Sequence, residues 1–84
     1  MSVMVVLFAS HREVFGASRV SLSVPPGTSV EALYTELTQR QPRLQELRAF
    51  TTFAVNREVV DSTKVLQDGD EVALLQPVSG GCGD

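Results

Sequence analysis

The residues with the clearest chemical potential stand near the end of the chain, where Gly80 and Gly81 follow a strand-like run and precede three further residues. A glycine carbonyl has no Cβ beside it, so it is open to a nucleophile and its backbone can thread a narrow channel. From Gln76 to Gly81 the extended reach is roughly 20 Å. The pattern alone leaves two interpretations open: a C-terminus that is itself the reacting group, or a frayed terminus, which many unrelated domains have.

Cys82 offers a second chemistry, because its thiol could take the Gly81 acyl group as a thioester or carry sulfur itself. No His or Lys stands near it in sequence to lower the thiol pKa, which favours an exposed and disposable thiol. A single cysteine cannot form an internal disulfide or hold an iron-sulfur cluster.

The rest of the chain offers no machinery to activate its own end. It has neither a phosphate-binding Gly-rich loop with Lys-Ser/Thr nor a His-Cys or His-Asp constellation. We expect His11 to be a solvated loop residue, and Arg40, Arg43 and Arg48 to form a solvated face because Glu36 and Glu46 interleave with them. The sequence thus predicts no enzyme, no bound cofactor and no metal, with catalysis supplied by partners.

The length and net charge of the chain argue against some classes of binding partner. A chain of 84 residues with 43% hydrophobic residues forms one small domain, which can fold alone but has little room to enclose a substrate. Its net charge of −3 and seven Lys plus Arg, without a basic patch, argue against nucleic acid. The apolar run Val3 to Ala9 is too short to cross a bilayer and has no basic leader, so we expect no membrane association and a cytoplasmic location.

The elements that must position the C-terminus follow from periodicity. Ser2 to Ala9 is apolar on both alternating faces, which predicts a central strand, and Arg19 to Val24 alternates as a half-buried strand paired with it in a hairpin around Gly16. Thr51 to Asn56, a short strand at 58–60 and Glu71 to about Gln76 complete the sheet.

One helix is clearly signalled between the second and third strands. Thr28 and Glu31 are spaced as a capping box. The apolar residues at i, i+3, i+4 and i+7 form one stripe, and Pro42 ends the helix near Gln41, with a short helical turn after it. The stripe consists of Val30, Leu33, Tyr34 and Leu37. The order of elements predicts an α+β fold of the β-grasp (ubiquitin-like) type: a mixed sheet of four to five strands with one main helix packed on one face.

Three stretches carry a family resemblance: "VVLFASHREVFG" at 5–16, "VNREVV" at 55–60 and "DGDEVALLQPVSGG" at 68–81. In this order they resemble the small, sulfur-carrying subunit of molybdopterin synthase. The resemblance implies a β-grasp domain at 1–76 and a flexible C-terminal tail at 77–84. It also implies that a ubiquitin-activating-type enzyme uses ATP to adenylate the Gly81 carboxylate, which is then converted to a thiocarboxylate and presented to the large synthase subunit.

By the same resemblance, the interface with the large subunit includes Phe8, Arg12 and Leu75, and also Pro77 and Val78, where the tail leaves the domain. Val6 and Phe8 of the first strand face outward beside Ala73 and Leu75 of the last, which predicts an exposed apolar patch that leads to the tail.

The chain departs from the family at its end, since the family stops at Gly-Gly and here Cys82, Gly83 and Asp84 follow. We expect a protease to remove these three residues; the competing hypothesis is a duplicate without carrier activity. Two further alternatives stay open: a ubiquitin-like modifier joined through Gly81 to lysines, and a sulfur carrier for thiazole or cysteine. The Arg12-Glu13 segment and the chain length favour molybdopterin over thiazole, by resemblance.

Overall fold

Five strands form one mixed sheet in the computed structural model, which describes residues 1–75. Their spatial order is β2-β1-β5-β3-β4, in which β1 and β5 run parallel and all other neighbours are antiparallel. The strands are β1 (Ser2–Leu7), β2 (Arg19–Ser23), β3 (Thr52–Val55), β4 (Glu58–Val60) and β5 (Glu71–Leu75). The predicted α+β, β-grasp fold is confirmed, with the first and last strands inside the sheet.

Helix α2 (Val30–Arg40) covers one face of the sheet with the predicted stripe. Its four apolar residues are all at most 2% exposed. The predicted capping box is wrong, because the helix starts one residue later than expected: Ser29 is the N-cap and its Oγ accepts the Ala32 N–H at 3.1 Å. The Thr28 hydroxyl instead donates to the Pro25 carbonyl at 2.7 Å, which closes the preceding turn.

A 3-10 helix, η1 (Pro42–Phe50), follows α2 directly and confirms the predicted helical turn over a longer span. It is tied to α2 through the Tyr34 hydroxyl, which donates to the Leu44 carbonyl at 2.6 Å. The predicted solvated role of Arg48 is wrong. Its guanidinium carbon lies 5.1 Å from the centre of the Phe53 ring, and its Nε donates to the Glu31 carboxylate at 3.1 Å. A guanidinium can make both contacts at once, since its face stacks on a ring while its edge donates to a carboxylate.

A second helix, α1 (Ala9–Phe15), replaces the predicted loop between β1 and β2. The chain enters it through Ala9 in the left-handed region (φ +47°) and leaves through Gly16 (φ +91°), whose N–H bonds the Arg12 carbonyl. His11 is completely buried on its inner side, so its prediction as a solvated residue is wrong. Seven residues are too few to show helical periodicity, and the two strands pair without a tight hairpin turn.

The turn before β5 links both ends of the described chain. Gly69 takes a positive φ of +86°, as the predicted Asp68-Gly69-Asp70 turn requires. Its N–H donates to the Ser2 carbonyl, and the Asp68 carboxylate accepts the Ser2 N–H at 2.7 Å. These bonds set the parallel register of β1 and β5, and hence the point at which the chain continues beyond Leu75.

Candidate functional site

The two faces of β1 and β5 have different surroundings. On the side of α2, Val5 pairs with Val72 and Leu7 pairs with Leu74, and all four are at most 1% exposed. On the opposite side Val6 pairs with Ala73, and neither is covered by a helix from the part of the chain that the structure describes. Because side chains alternate along a strand, the apolar residues of this second side form an open face.

One row of side chains crosses all five strands on the open face. The register pairs place these residues next to one another, from β2 to β4: Arg19, Val6, Ala73, Ala54 and Val59. The two alanines at the centre leave space between larger neighbours. The result is a groove of about 390 Å³ that also includes Phe8 and Leu75 in its lining.

Charged groups border this apolar groove. Arg19 bonds Glu71 at 3.4 Å, and Arg57 lies on the β3-β4 side. The Arg19 and Glu71 side chains are 62% and 39% exposed, so their ion pair contributes little to stability. An apolar centre inside a polar rim is the usual anatomy of a protein-binding surface.

The structure brings two of the predicted interface residues together. Phe8, 47% exposed, and the half-buried Leu75 both line the groove. Arg12 is exposed on α1 and is not among the groove-lining residues. The predicted Pro77, Val78, Gly80 and Gly81 lie outside the described residues, as do the proposed tail at 77–84 and its removable end.

Five groove residues were not predicted from sequence: Arg19 and Glu71 at the rim, and Ala54, Arg57 and Val59. The last three come from β3, β4 and the turn between them, and the place of Ala54 and Val59 in the row depends on how β3 registers with β5 and β4. The sequence signal that could have placed Ala54 on the open face is the alternation of side chains along β3, in which Ala54 faces away from Phe53 and Val55. Arg57 follows Asn56 in a turn where both take positive φ, which places its side chain at the rim.

Residues 1–75 contain neither a metal-binding cluster nor a membrane-spanning helix. No three His, Cys, Asp or Glu side chains in this part of the chain are grouped so that they could hold a metal ion. No helix within it is long and apolar enough to cross a membrane.

Comparison with known proteins gives consistent matches over nearly the whole chain. The profile of the ThiS family matches residues 5–81. The human molybdopterin synthase sulfur carrier subunit is 39% identical over 82 residues, covering 94% of this chain and 93% of that protein.

Two solved structures share the fold over similar lengths. SAMP1 from Haloferax volcanii has a TM-score of 0.82 and 31% identity, covering 96% of this chain and 100% of that one. A chain from the complex of subunits 1 and 2 of the molybdopterin-converting factor of Helicobacter pylori has a TM-score of 0.69 and 26% identity, covering 96% and 100%.

Proposed function

The chain belongs to the ThiS family, and from this premise we propose that it is the sulfur carrier subunit of a molybdopterin synthase, with the sulfur held as a thiocarboxylate on Gly81. The observation that carries the proposal is the extent of the match to the human sulfur carrier subunit, together with a family match that runs through Gly81. In this proposal the chain is the non-catalytic subunit, and its partners supply the catalytic side chains.

The chemistry begins with a poor acyl donor. A partner enzyme of the ubiquitin-activating type lets the Gly81 carboxylate attack the α-phosphorus of ATP, which forms an acyl adenylate and releases pyrophosphate. A hydrosulfide-level sulfur donor then attacks the acyl carbon and expels AMP, leaving the thiocarboxylate. Its sulfur attacks a carbon of the pterin precursor and displaces an oxygen leaving group from that carbon, which gives a thioester between Gly81 and the pterin. Water then cleaves the acyl carbon-sulfur bond, so that Gly81 returns to a carboxylate and the sulfur stays on the pterin. Glycine suits each attack because no Cβ shields the carbonyl.

Docking of the folded domain offsets the cost of ordering the C-terminal residues, which is on the order of 1 kcal/mol or more per residue. The open face supplies the surface, because its groove reaches Leu75, the last described residue before the reactive segment. The large synthase subunit contacts Phe8 and Leu75 there, while Arg12, Pro77 and Val78 extend the contact. The Helicobacter pylori complex shows that a protein with this fold assembles with a second subunit.

The sequence beyond Gly81 requires a processing step. With Cys82, Gly83 and Asp84 attached, Gly81 has no free carboxylate to adenylate. A protease removes these three residues in the cytoplasm, before the activating enzyme acts.

Likeness to SAMP1 supports one alternative, a modifier joined through Gly81 to lysines of other proteins, since related structures are named small archaeal modifier proteins. Carrier and modifier share the adenylate and differ in the nucleophile that follows. Sulfur carriage to thiazole or cysteine differs only in the final acceptor.

Reconstitution tests the proposal. A chain ending at Gly81, prepared chemically as the thiocarboxylate, is mixed with the large synthase subunit from the same organism and the pterin precursor. We expect a sulfur-containing pterin and a carrier that returns to the carboxylate form; the same chain with a terminal carboxylate is the control. No sulfur on the pterin, together with isopeptide adducts in the same organism, would instead establish the modifier.

A further inference from the structure

A hydrogen bond joins the two segments that flank the C-terminal end of β5. On one side, Leu74 pairs with Leu7, after which the chain turns into α1. On the other side, Leu75 pairs with Thr52, the residue after Thr51, which caps the C-terminal end of η1. His11 of α1 and Thr51 at the end of η1 connect these two sides: Nε2 of His11 lies 2.7 Å from Oγ1 of Thr51, across 40 residues of sequence.

The direction of this bond follows from the hydroxyl. A threonine hydroxyl has one proton to donate, and Thr51 donates it to the Leu47 carbonyl at 2.7 Å. The Thr51 oxygen must therefore accept, and His11 donates through Nε2–H. This assignment leaves Nδ1 as an unprotonated acceptor, which is buried and has no hydrogen-bond partner among residues 1–75.

The cost of this arrangement suggests a role beyond packing. A buried acceptor without a partner destabilises a fold, and an apolar side chain of similar volume would avoid that cost. Burial lowers the pKa of His11, and the backbone of Phe8 raises it by less, so the ring is kept neutral. The side-chain partner of the imidazole is Thr51.

The same residue organises the entry to α1, where Phe8 is displayed. The Phe8 carbonyl accepts the His11 backbone N–H at 3.0 Å, and Ala9 between them is held in the left-handed region. An alanine at positive φ is strained and persists only where the surroundings hold it. His11 supplies such a hold, since its ring is tied to η1 and its backbone to Phe8.

We propose that His11 is a positioning residue: through Thr51 it locks α1 to η1 and thereby fixes the Phe8 side of the groove relative to the end of β5. The inference rests on the proposed function, in which the groove docks a partner and β5 leads to the reactive terminus. Unlocking the bond leaves Phe8 free to sample other orientations, and the partner must then order it on binding.

The test removes the bond from each side and restores it. Thr51→Val and His11→Leu delete it, while Thr51→Ser keeps the hydroxyl and His11→Gln keeps a side-chain N–H donor. Thr28→Val is the matched control, because it also loses one hydroxyl bond of 2.7 Å but does not line the groove. All chains end at Gly81, and thermal unfolding confirms that each is folded at the assay temperature.

Two readouts are taken with the large synthase subunit: the Kd for the carboxylate form and the kinetics of sulfur transfer from the thiocarboxylate. We expect Thr51→Val and His11→Leu to raise the Kd and the KM for the carrier about tenfold with kcat changed less than about twofold, and Thr51→Ser and His11→Gln to restore most of the loss. Wild-type affinity in both deletion variants, or an equal loss in Thr28→Val, would overturn the inference. If the wild type binds but transfers no sulfur while Thr51→Val still binds weakly, the positioning role stands and the proposed function fails.

Discussion

Both faces of the central strands carry apolar side chains, but their surroundings differ. Val5, Leu7, Val72 and Leu74 pack beneath α2 and are excluded from solvent. Their immediate neighbours in sequence point to the other side, where no helix within residues 1–75 covers them and Phe8 remains 47% exposed. Apolar residues on both faces of a strand usually mean that both faces are buried.

This contrast separates stability from recognition within single strands. Residues on the covered face stabilise the fold, because each apolar side chain that is removed from water adds about 1.5–3 kcal/mol to the free energy of unfolding. Under the proposed function, residues on the open face gain that burial only when the large subunit docks. Substitutions at adjacent positions should therefore affect different measurements.

The largest expected effect comes from Leu74 and its neighbour Leu75. Leu74→Ala leaves a cavity under α2 and should lower the free energy of unfolding by about 2–5 kcal/mol. Leu75→Ala, the matched change on the open face, should cost about 1 kcal/mol or less. Urea denaturation measures both, and equal losses at the two positions would break the distinction between the faces.

Phe8→Ala should weaken partner binding and leave stability nearly unchanged. We expect it to weaken binding to the large synthase subunit by about 2 kcal/mol, or roughly 30-fold in Kd, because exposed aromatic side chains often anchor interfaces. The free energy of unfolding should change by less than about 1 kcal/mol. Isothermal titration calorimetry measures the affinity, with Val65→Ala as the control because Val65 is 53% exposed and does not line the groove. Loss of affinity in the control but not in Phe8→Ala would place the interface elsewhere.

Arg48→Met should have a smaller effect, confined to the covered side. It removes the guanidinium from the Phe53 and Tyr34 rings and from Glu31, at a cost of about 1 kcal/mol in unfolding free energy and with no change in partner affinity. Thermal or urea unfolding detects the first and calorimetry the second. A large loss of affinity would show that the covered side also shapes the interface.

The ion pair between Arg48 and Glu31 should make the free energy of unfolding depend on pH. Hydrogen bonds from Arg48 lower the pKa of Glu31 below its ordinary 4.5, so their contribution is present above pH 4.5 and is lost as the pH falls through the lowered value. Glu31→Gln should remove this part of the acid sensitivity. An unchanged stability-pH profile below pH 4.5 would show that the pair contributes nothing measurable.

The smallest expected effect is the pH dependence of stability that His11 causes. As for Glu31, stability falls as the pH is lowered. Burial lowers the pKa of His11 below 6.5, so as the pH falls below 6.5 the unfolded chain takes up a proton before the folded one does. Stability is therefore fully present above pH 6.5 and declines towards the lowered pKa. Urea titrations between these values should show the decline in the wild type and its absence in His11→Leu. A stability that increases on acidification through this range would contradict a neutral buried ring.

Much of the fold could be predicted from sequence, because in long helices and strands the spacing of apolar residues shows which face is buried. The α2 stripe and the alternation of β2 are of this kind, and so is the outward placement of Val6 and Ala73. Helix α1 was missed because it has only seven residues, and with it the burial of His11. The capping position was wrong by one residue because Thr28 and Ser29 are both good N-caps.

The candidate site was only partly predictable for a different reason. Phe8 and Leu75 follow from strand parity near the ends of their strands, but Ala54 and Val59 join them only through the register of β3 with β5 and β4. Register of a four-residue strand depends on tertiary pairing, which local sequence does not determine. The role of Arg48 likewise depends on how η1 folds back beside α2. Predictions about Gly80, Gly81 and Cys82 concern residues beyond those that the structure describes and stay predictions.

The most direct test of the central claim is the intact mass of the chain after activation. Chains ending at Gly81 and at Asp84 are each incubated with a ubiquitin-activating-type enzyme from the same organism, ATP and a sulfide source. We expect only the chain ending at Gly81 to gain the mass of one sulfur in place of one oxygen, and only when ATP is present. An unchanged mass for that chain, with an enzyme that activates its own carrier in parallel, would contradict the assignment of this protein as a sulfur carrier.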